Sequence, residues 1–412
     1  MKNDLDELMQ ANDLDAILIT GPAQHNPAMV YMTGGGHLTN ADLIKKQGEA
    51  AVLFYNSMER DEAAKSGLRI KNLGDYNLTE LLNQSSGDYL TAIVKRYQQM
   101  LTELNITSGR VALYGRSEIG TNYAIFSALQ KEMPELNLLG EIDSSVLMLA
   151  RMTKDETEIE RIRKMGKITT QVVGQVADFI TSHSVKNNVL VNKKGIPLTI
   201  GDVKSRINMW LSELGAENPE GTIFAIGRDA GVPHSTGNST DELKLGQTIV
   251  FDIYPCEAGG GYFYDFTRTW CLGYAPDDVL ALYETVLSVY TKVTQELQVG
   301  KPFKDYQQMT CEQFSAQGHP TIKEAPQTQQ GYVHSLGHGI GLNIHERPWS
   351  GIISDEKDCL VPGSVFTIEP GLYYPEKGIG VRLENSLWVR PDGKMEVLAE
   401  FPMDLVLSVK AN

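Results

Sequence analysis

The chain predicts a small α/β layer domain followed by a larger α+β domain. Three observations carry this. At 412 residues, 42% of them apolar, the chain is longer than one hydrophobic core usually serves. Up to about residue 145, short apolar runs alternate with helical patterns, as in an α/β layer. Thr153-Lys-Asp-Glu156 then reads as a capping box opening a helix, which sets a boundary near residue 150. The expected domains are therefore 1–150 and 151–412.

In the first domain the apolar runs are Asp15-Ala-Ile-Leu-Ile-Thr20, Glu49-Ala-Ala-Val-Leu-Phe-Tyr55 and Arg110-Val-Ala-Leu-Tyr-Gly115, each a predicted strand. Gly34-Gly-Gly-His37-Leu-Thr reads as a flexible loop, with His37 on its surface. No chemical constellation stands out in this domain. Beyond the boundary, Ile159, Ile162, Val172, Val176 and Phe179 keep roughly helical spacing. Val203, Ile207, Trp210 and Leu214 mark a second helix that stops at Gly215. A third helix is expected from about Asp277 to Leu297. These stripes read as core packing against a sheet.

The segments between the helices carry the chemistry. Gln247-Thr-Ile-Val-Phe-Asp252-Ile-Tyr254 and Tyr262-Phe-Tyr-Asp265-Phe-Thr-Arg-Thr-Trp270 read as strands, joined by the turn Glu257-Ala-Gly-Gly-Gly261. A turn centred on Ala258 and Gly259 keeps the sum of partner numbers at 517, which sets Asp252 directly opposite Asp265. Opposed residues have Cβ atoms about 4.5–5.5 Å apart, where like charges repel. A bound cation turns that repulsion into attraction. Two aspartates on a solvated hairpin would leave the same trace, so the pair needs support from elsewhere in the chain.

Three further segments supply it. His334-Ser-Leu-Gly-His338-Gly-Ile-Gly-Leu-Asn-Ile-His345-Glu-Arg-Pro348 concentrates three of the chain's eight histidines among glycines. The glycines let backbone approach closely and argue against a helix. Val365-Phe-Thr-Ile-Glu369-Pro-Gly371 and Gly378-Ile-Gly-Val-Arg382-Leu-Glu384-Asn-Ser386 each place a glutamate at an apolar, strand-like run, where an unpaired charge is costly. Arg382 and Glu384 share a strand face. Taken alone they are also what a surface ion pair looks like.

Together these residues resemble the catalytic core of the pita-bread metallopeptidases, the family of Xaa-Pro aminopeptidase, Xaa-Pro dipeptidase (prolidase) and methionine aminopeptidase. The resemblance runs from about residue 150 to the end, and more weakly over an N-terminal part similar to that of creatinases and prolidases. It implies a curved antiparallel sheet with helices outside it. It assigns the metal ligands to Asp252, Asp265, His338, Glu369 and Glu384, and substrate-site histidines to His234 (in Val-Pro-His-Ser), His334 and His345. The two aspartates are thirteen positions apart, a longer hairpin than is usual in the family. The difference is even, which keeps both on one face. Pro255 replaces a small residue near the hairpin tip, where a missing N–H is tolerable.

The activity implied is hydrolysis of an Xaa-Pro bond in short peptides or dipeptides, by attack of a hydroxide bridging two divalent cations about 3.5–4 Å apart. Asp265 and Glu384 bridge the cations, Asp252 completes one, and His338 and Glu369 complete the other. Glu369 shuttles the proton. His234 and His345 hydrogen-bond the carbonyl and the developing oxyanion, His334 shapes a proline pocket, and Arg382 orients Glu384. The histidine set and the N-terminal domain favour a bond before proline over an initiator methionine. Manganese heads the candidate metals, and cobalt, zinc and iron also suit the oxygen-rich set. A lyase or other amide hydrolase on the same fold is the alternative. A metal-free binding module is disfavoured, because no ligand is substituted. A homodimer is expected by analogy.

Composition sets the remaining expectations. The net charge of −15 argues against nucleic acid and anionic membrane surfaces as partners. No run approaches the ~20 apolar residues of a membrane span. The start, Met1-Lys-Asn-Asp-Leu-Asp-Glu7, lacks the pattern of a signal peptide. Cys256, Cys271, Cys311 and Cys359 form no Cys-x-x-Cys pair and read as reduced thiols of a cytoplasmic protein.

Overall fold

The computed structural model describes residues 4–142 and 144–409. The reading of the first three residues lies outside that range. The chain forms two compact units, Met1–Arg151 with Gly259–Gly261, and Met152–Ala258 with Tyr262–Asn412.

The first unit is built on a six-stranded mixed sheet in the order Arg69–Asn72, Val52–Tyr55, Ala41–Lys46, Ala16–Gly21, Gly109–Gly115, Leu136–Leu139. Both faces of the sheet are covered. Ile17 and Ile19 enter one core cluster with Leu43 and Leu53, while Ala16 and Leu18 enter another with Ile44, Val52 and Phe54. That alternation is the two-residue period of a strand packed on both sides. Ala41–Lys46 is a strand that the apolar runs did not reveal. It carries two buried charges: Asp42 accepts from Tyr97 Oη at 2.7 Å, and Lys45 pairs with Asp6. His37 is exposed on its loop.

The second unit holds a four-stranded sheet, Thr222–Ile226, Thr248–Ile253, Phe266–Leu272, Val406–Leu407, and a five-stranded antiparallel sheet, Glu346–Trp349, His338–Gly339, Val365–Ile368, Asn385–Val389, Met395–Val397. A hairpin of Gly371–Tyr374 and Ile379–Arg382 accompanies them. Helices Asp277–Glu296 and Phe303–Ala316 pack Val286, Val289, Val293, Phe303 and Phe314 against Phe366, Ile368, Leu387 and Val389 of the five-stranded sheet. The helix Phe303–Ala316 was not predicted.

The long helix of this unit runs over Glu156–Thr181, but its capping box is Asp155 with Glu158, not Thr153 with Glu156. The cap lies two residues further on because Thr153 is held by a bridge to Ser364 and Lys154 N bonds Gly363 O. The second helix, Ile200–Glu213, opens on a capping box of Thr199 with Asp202 and is followed by Gly215 at φ +74°. Among the described residues no helix is long and apolar enough to cross a membrane. The four cysteines are free thiols, three of them buried.

The aspartate hairpin forms in a different register from the one expected. Asp252 pairs with Thr267 and Ile253 with Phe266, so partner numbers sum to 519. The turn centres on Gly259 and Gly260, at φ +87° and +81°. Two adjacent left-handed residues suit the twist of a tight hairpin, and glycine reaches that region without strain. Asp265 therefore sits diagonal to Asp252, two positions beyond direct opposition and just before the strand begins. A shift of two residues keeps both aspartates on one face.

Candidate metal centre

Strand alternation puts the functional side chains on the inward faces of the two sheets. In the four-stranded sheet, Phe224, Phe251 and Trp270 stack on one face, with ring centroids 5.2 and 5.5 Å apart. The opposite face presents Asp252, Thr267 and Thr269. In the five-stranded sheet Phe366, Ile368 and Leu387 enter the core, which turns Thr367, Glu369, Glu384 and Ser386 the other way. The two faces are stitched together. Glu384 N donates to Thr267 O at 3.1 Å, Ser386 Oγ to Asp265 O at 2.8 Å, and Thr269 Oγ1 to Arg382 O at 2.9 Å.

His338 reaches this junction because its neighbours are glycines. A Cβ on Gly337 would lie 2.0 Å from Thr367 O, and one on Gly339 2.0 Å from Arg347 O. Only glycine lets this strand lie so close to its neighbours. Thr367 Oγ1 accepts from His338 N at 3.1 Å. The His338 Nδ1 lies 3.1 Å from Gly339 O, which assigns the proton to Nδ1 and leaves the Nε2 lone pair facing the carboxylates. Nε2 is 3.3 Å from Glu369 Oε1 and 3.7 Å from Asp265 Oδ2.

Of the five expected ligands, Asp265, His338 and Glu384 offer atoms within 4.8 Å of one another, all buried. Glu369 stands beside His338, with its Oε1 3.5 Å from Thr367 Oγ1. Asp252 is held by Arg382, whose Nη2 bonds its Oδ2. Arg382 thus differs from expectation: its direct carboxylate partner is Asp252, not Glu384. It touches Glu384 only through Thr267, whose Oγ1 lies 3.2 Å from Arg382 Nε and donates to Glu384 Oε2 at 2.7 Å. The diagonal register explains this, because it puts Thr267 opposite Asp252 and between the two carboxylates.

The histidines expected at the substrate site are distributed around this cluster. The His345 ring packs edge-on against His338, centroids 4.3 Å apart, and is exposed. His334 is half-buried, with Nε2 2.9 Å from Tyr373 Oη, which also accepts from Arg382 Nη1 at 2.8 Å. His234 is exposed on the turn after Thr222–Ile226, and Pro233 O accepts from Arg382 Nη1 at 3.3 Å.

Three residues were missed as parts of the site. Tyr373 links Arg382 to His334. Gln307, fully buried on the helix Phe303–Ala316, accepts from Leu336 N and Tyr332 Oη and donates to His334 O at 3.3 Å. Arg268, 1% exposed, donates to the carbonyls of Thr267, Glu384, Phe401 and Pro402 and to Asn385 Oδ1. Burial pulls its guanidinium down to about 10, so it remains charged at neutral pH. Only the placement of Arg268 three residues after the acid Asp265 hinted at such a role.

The electrostatics fit a cation. Burial, and then Glu384, Asp252 and Glu369, push Asp265 well above the ordinary carboxylate range. Glu384 is pushed the same way by burial and then by Glu369 and Asp252. Burial raises Glu369 to about 8. Burial also lowers His338 to about 4, keeping it a neutral ligand. Asp252 Oδ1, Asp265 Oδ1 and Glu384 Oε1 are buried with no hydrogen-bond partner among the described residues. Unpartnered buried oxygens cost free energy, and crowded carboxylates resist joint ionisation. A hard divalent cation answers both at once.

The fold and site define a metallopeptidase of the pita-bread type. A model of metallopeptidase family M24 matches residues 160–391, and one of the creatinase/prolidase N-terminal domain matches 2–149. The chain belongs to metallopeptidase family M24, a metal-dependent family. It is 30% identical over 282 residues to the probable dipeptidase PepE of Mycobacterium tuberculosis, covering 66% of this chain and 68% of that protein. It is 25% identical over 388 residues to the Xaa-Pro dipeptidase of Pyrococcus horikoshii, covering 94% of this chain and 93% of that one. The fold matches the X-Pro aminopeptidase of Thermotoga maritima with a TM-score of 0.73 at 22% identity, over 98% of this chain and 100% of that one. It matches the Pyrococcus horikoshii prolidase at 0.71 and 22%, over 98% of each chain.

Proposed function

We propose that the protein is a dinuclear metal-dependent peptidase that cleaves the bond before proline in dipeptides or at the N-terminus of short peptides. Residues 151–412 form its catalytic domain and 1–150 a creatinase/prolidase-type N-terminal domain. The observation that carries the reading is the set of buried oxygens on Asp252, Asp265 and Glu384 that find no hydrogen-bond partner among the described residues, with Asp265 and Glu384 offering atoms within 4.8 Å of one on a neutral His338. Asp252, Asp265, His338, Glu369 and Glu384 would together hold two divalent cations. When bound, the cations activate water and polarise the scissile carbonyl.

The chain's own groups do the rest. Glu369, deprotonated once the site is loaded, can take a proton from the attacking water and return it to the leaving nitrogen. His234 and His345, both exposed to the substrate side, donate hydrogen bonds to the substrate carbonyl and the oxyanion that develops from it. His334, backed by Tyr332 and Tyr373 with ring centroids 5.6 and 5.4 Å away, forms a wall against a flat proline ring. Arg382 fixes Asp252 and lies beside the substrate-binding turn at Pro233. Manganese as the metal, a homodimer and a cytoplasmic location complete the proposal; the oxygen-rich ligand set supports the first, and the family likeness the others.

Chelated protein refilled with manganese, cobalt or zinc should be assayed on Ala-Pro, Met-Pro, Gly-Pro-Gly and Ala-Ala. Metal-dependent cleavage of the proline dipeptides alone makes it a prolidase, and cleavage of the tripeptide as well an Xaa-Pro aminopeptidase. Ala-Ala is included because the mycobacterial relative is named a dipeptidase without mention of proline. Stoichiometric metal binding with no cleavage would point to a lyase or another amide hydrolase and refute the proposal.

A further inference from the structure

The turn that carries His234 is gripped at both ends by a cation. On the N-terminal side, Arg382 Nη1 donates to Pro233 O at 3.3 Å. On the C-terminal side, Lys204 Nζ, from the helix Ile200–Glu213, donates to Thr236 O at 2.5 Å. The same carbonyl receives Phe224 N at 3.4 Å, a longer bond, so Lys204 is its principal partner. Between the two grips the turn closes on itself through Ser235 N to Val232 O at 3.0 Å. Just beyond it, Gly237 at φ +79° presses so close to Phe224 O that a Cβ there would stand 2.3 Å away. The exposed His234 side chain thus rides on a short arch whose height above the sheet is set by these contacts.

Lys204 is unusual in how it is spent. It is half-buried, burial lowers its ammonium below the ordinary lysine value, and among the described residues it has no carboxylate partner. Surface lysines gain little from a single carbonyl, so the cost of tucking this one in has a purpose in the arch it holds.

We infer that Lys204 is a positioning residue for His234: by holding the Thr236 carbonyl it sets where the imidazole stands over the substrate carbonyl. The inference rests on the role of His234 proposed above. Loss of the grip leaves the metal ligands untouched and lets the arch lift. A displacement of about 1 Å at a group that acts in the transition state can cost about 100-fold in rate.

The test pairs an activity readout with one that needs no activity. In K204M, hydrogen exchange of peptides covering 224–240 in the metal-free protein should accelerate by about tenfold or more, and K204R should restore the slow exchange. With manganese and Ala-Pro, K204M should lose roughly ten- to 100-fold in kcat, with KM within about threefold and metal content unchanged. K204R should recover most of it. H234A should be as impaired as the K204M/H234A double variant, because a grip on an absent imidazole has nothing to set. Unchanged exchange in K204M overturns the inference, and so does a K204M defect that adds in full to that of H234A. If H234A is silent while wild type cleaves Ala-Pro, the role of His234 fails and the inference falls with it. If wild type does not cleave Ala-Pro at all, the substrate reading fails, and accelerated exchange in K204M reversed by K204R still establishes the grip on the turn.

Discussion

Loading the site with a divalent cation should expel protons from carboxyl groups, and the structure says which ones. Glu369, raised to about 8, is ionised in only about one molecule in eleven at pH 7. Deprotonating it for the metal therefore costs about a factor of eleven in affinity, or ~1.4 kcal/mol. Asp265 and Glu384 are shifted in the same direction, Asp265 by burial and then the charge of Glu384, and Glu384 by burial and then the charges of Glu369 and Asp252. His338, lowered to about 4, is already neutral there and contributes none. The sign follows directly. These groups have raised pKa values, so protons must leave for the cation to bind, and affinity rises with pH. Each displaced proton contributes about tenfold per pH unit below its pKa. Calorimetric titration of manganese into chelated protein at pH 6.5, in buffers of different ionisation enthalpy, counts the protons directly. Close to one proton per protein is expected from Glu369 alone at pH 6.5, fewer as the pH approaches 9, and fewer again in Glu369→Gln. Heats that do not depend on the buffer, or an affinity that stays flat between pH 6 and 8, would refute the reasoning.

Asp265→Asn should abolish both metal binding and turnover, read by metal analysis and by peptide hydrolysis, and retained activity would sink the site assignment. Gly339→Ala should displace the strand that carries His338, since the new Cβ would meet Arg347 O at 2.0 Å; a cost of about 1–3 kcal/mol in urea unfolding and loss of bound metal are expected. Arg268→Met should strip donors from a cluster of buried carbonyls and lower stability by more than about 3 kcal/mol, seen as a lower denaturation midpoint.

The helices of the catalytic unit were legible where an apolar stripe marks them. The stripe Val203, Ile207 and Trp210 with its stop at Gly215 forms the helix Ile200–Glu213, and the one predicted from about Asp277 forms the helix Asp277–Glu296. The hairpin register was not, because Ala258-Gly-Gly-Gly261 offers more than one place to turn, and adjacent choices differ only in which pair of residues goes left-handed. The strand Ala41–Lys46 hid behind Asp42 and Lys45, whose charges are met by Tyr97 and Asp6 from distant parts of the chain. Candidate ligands could be picked out because acids at the ends of apolar strands are costly without a purpose. The partner of Arg382 could not, because a guanidinium chooses among carboxylates by tertiary geometry, and the diagonal register gave it Asp252. Arg268 and Gln307 escaped notice for a related reason: their partners are largely backbone carbonyls and amides, which leave no mark on the sequence.

The grip of Arg268 has a consequence for how the enzyme matures. It joins the backbone at Thr267 to that at Glu384 and to Phe401 and Pro402. A ribosome delivers Asp265 more than a hundred residues ahead of Glu384, so a nascent chain presents half a cage and no lock. The cage is complete only when its C-terminal strands have docked. Occupancy then follows the surrounding free-metal level by mass action, and a filled cage adds its binding free energy to the stability of the folded chain.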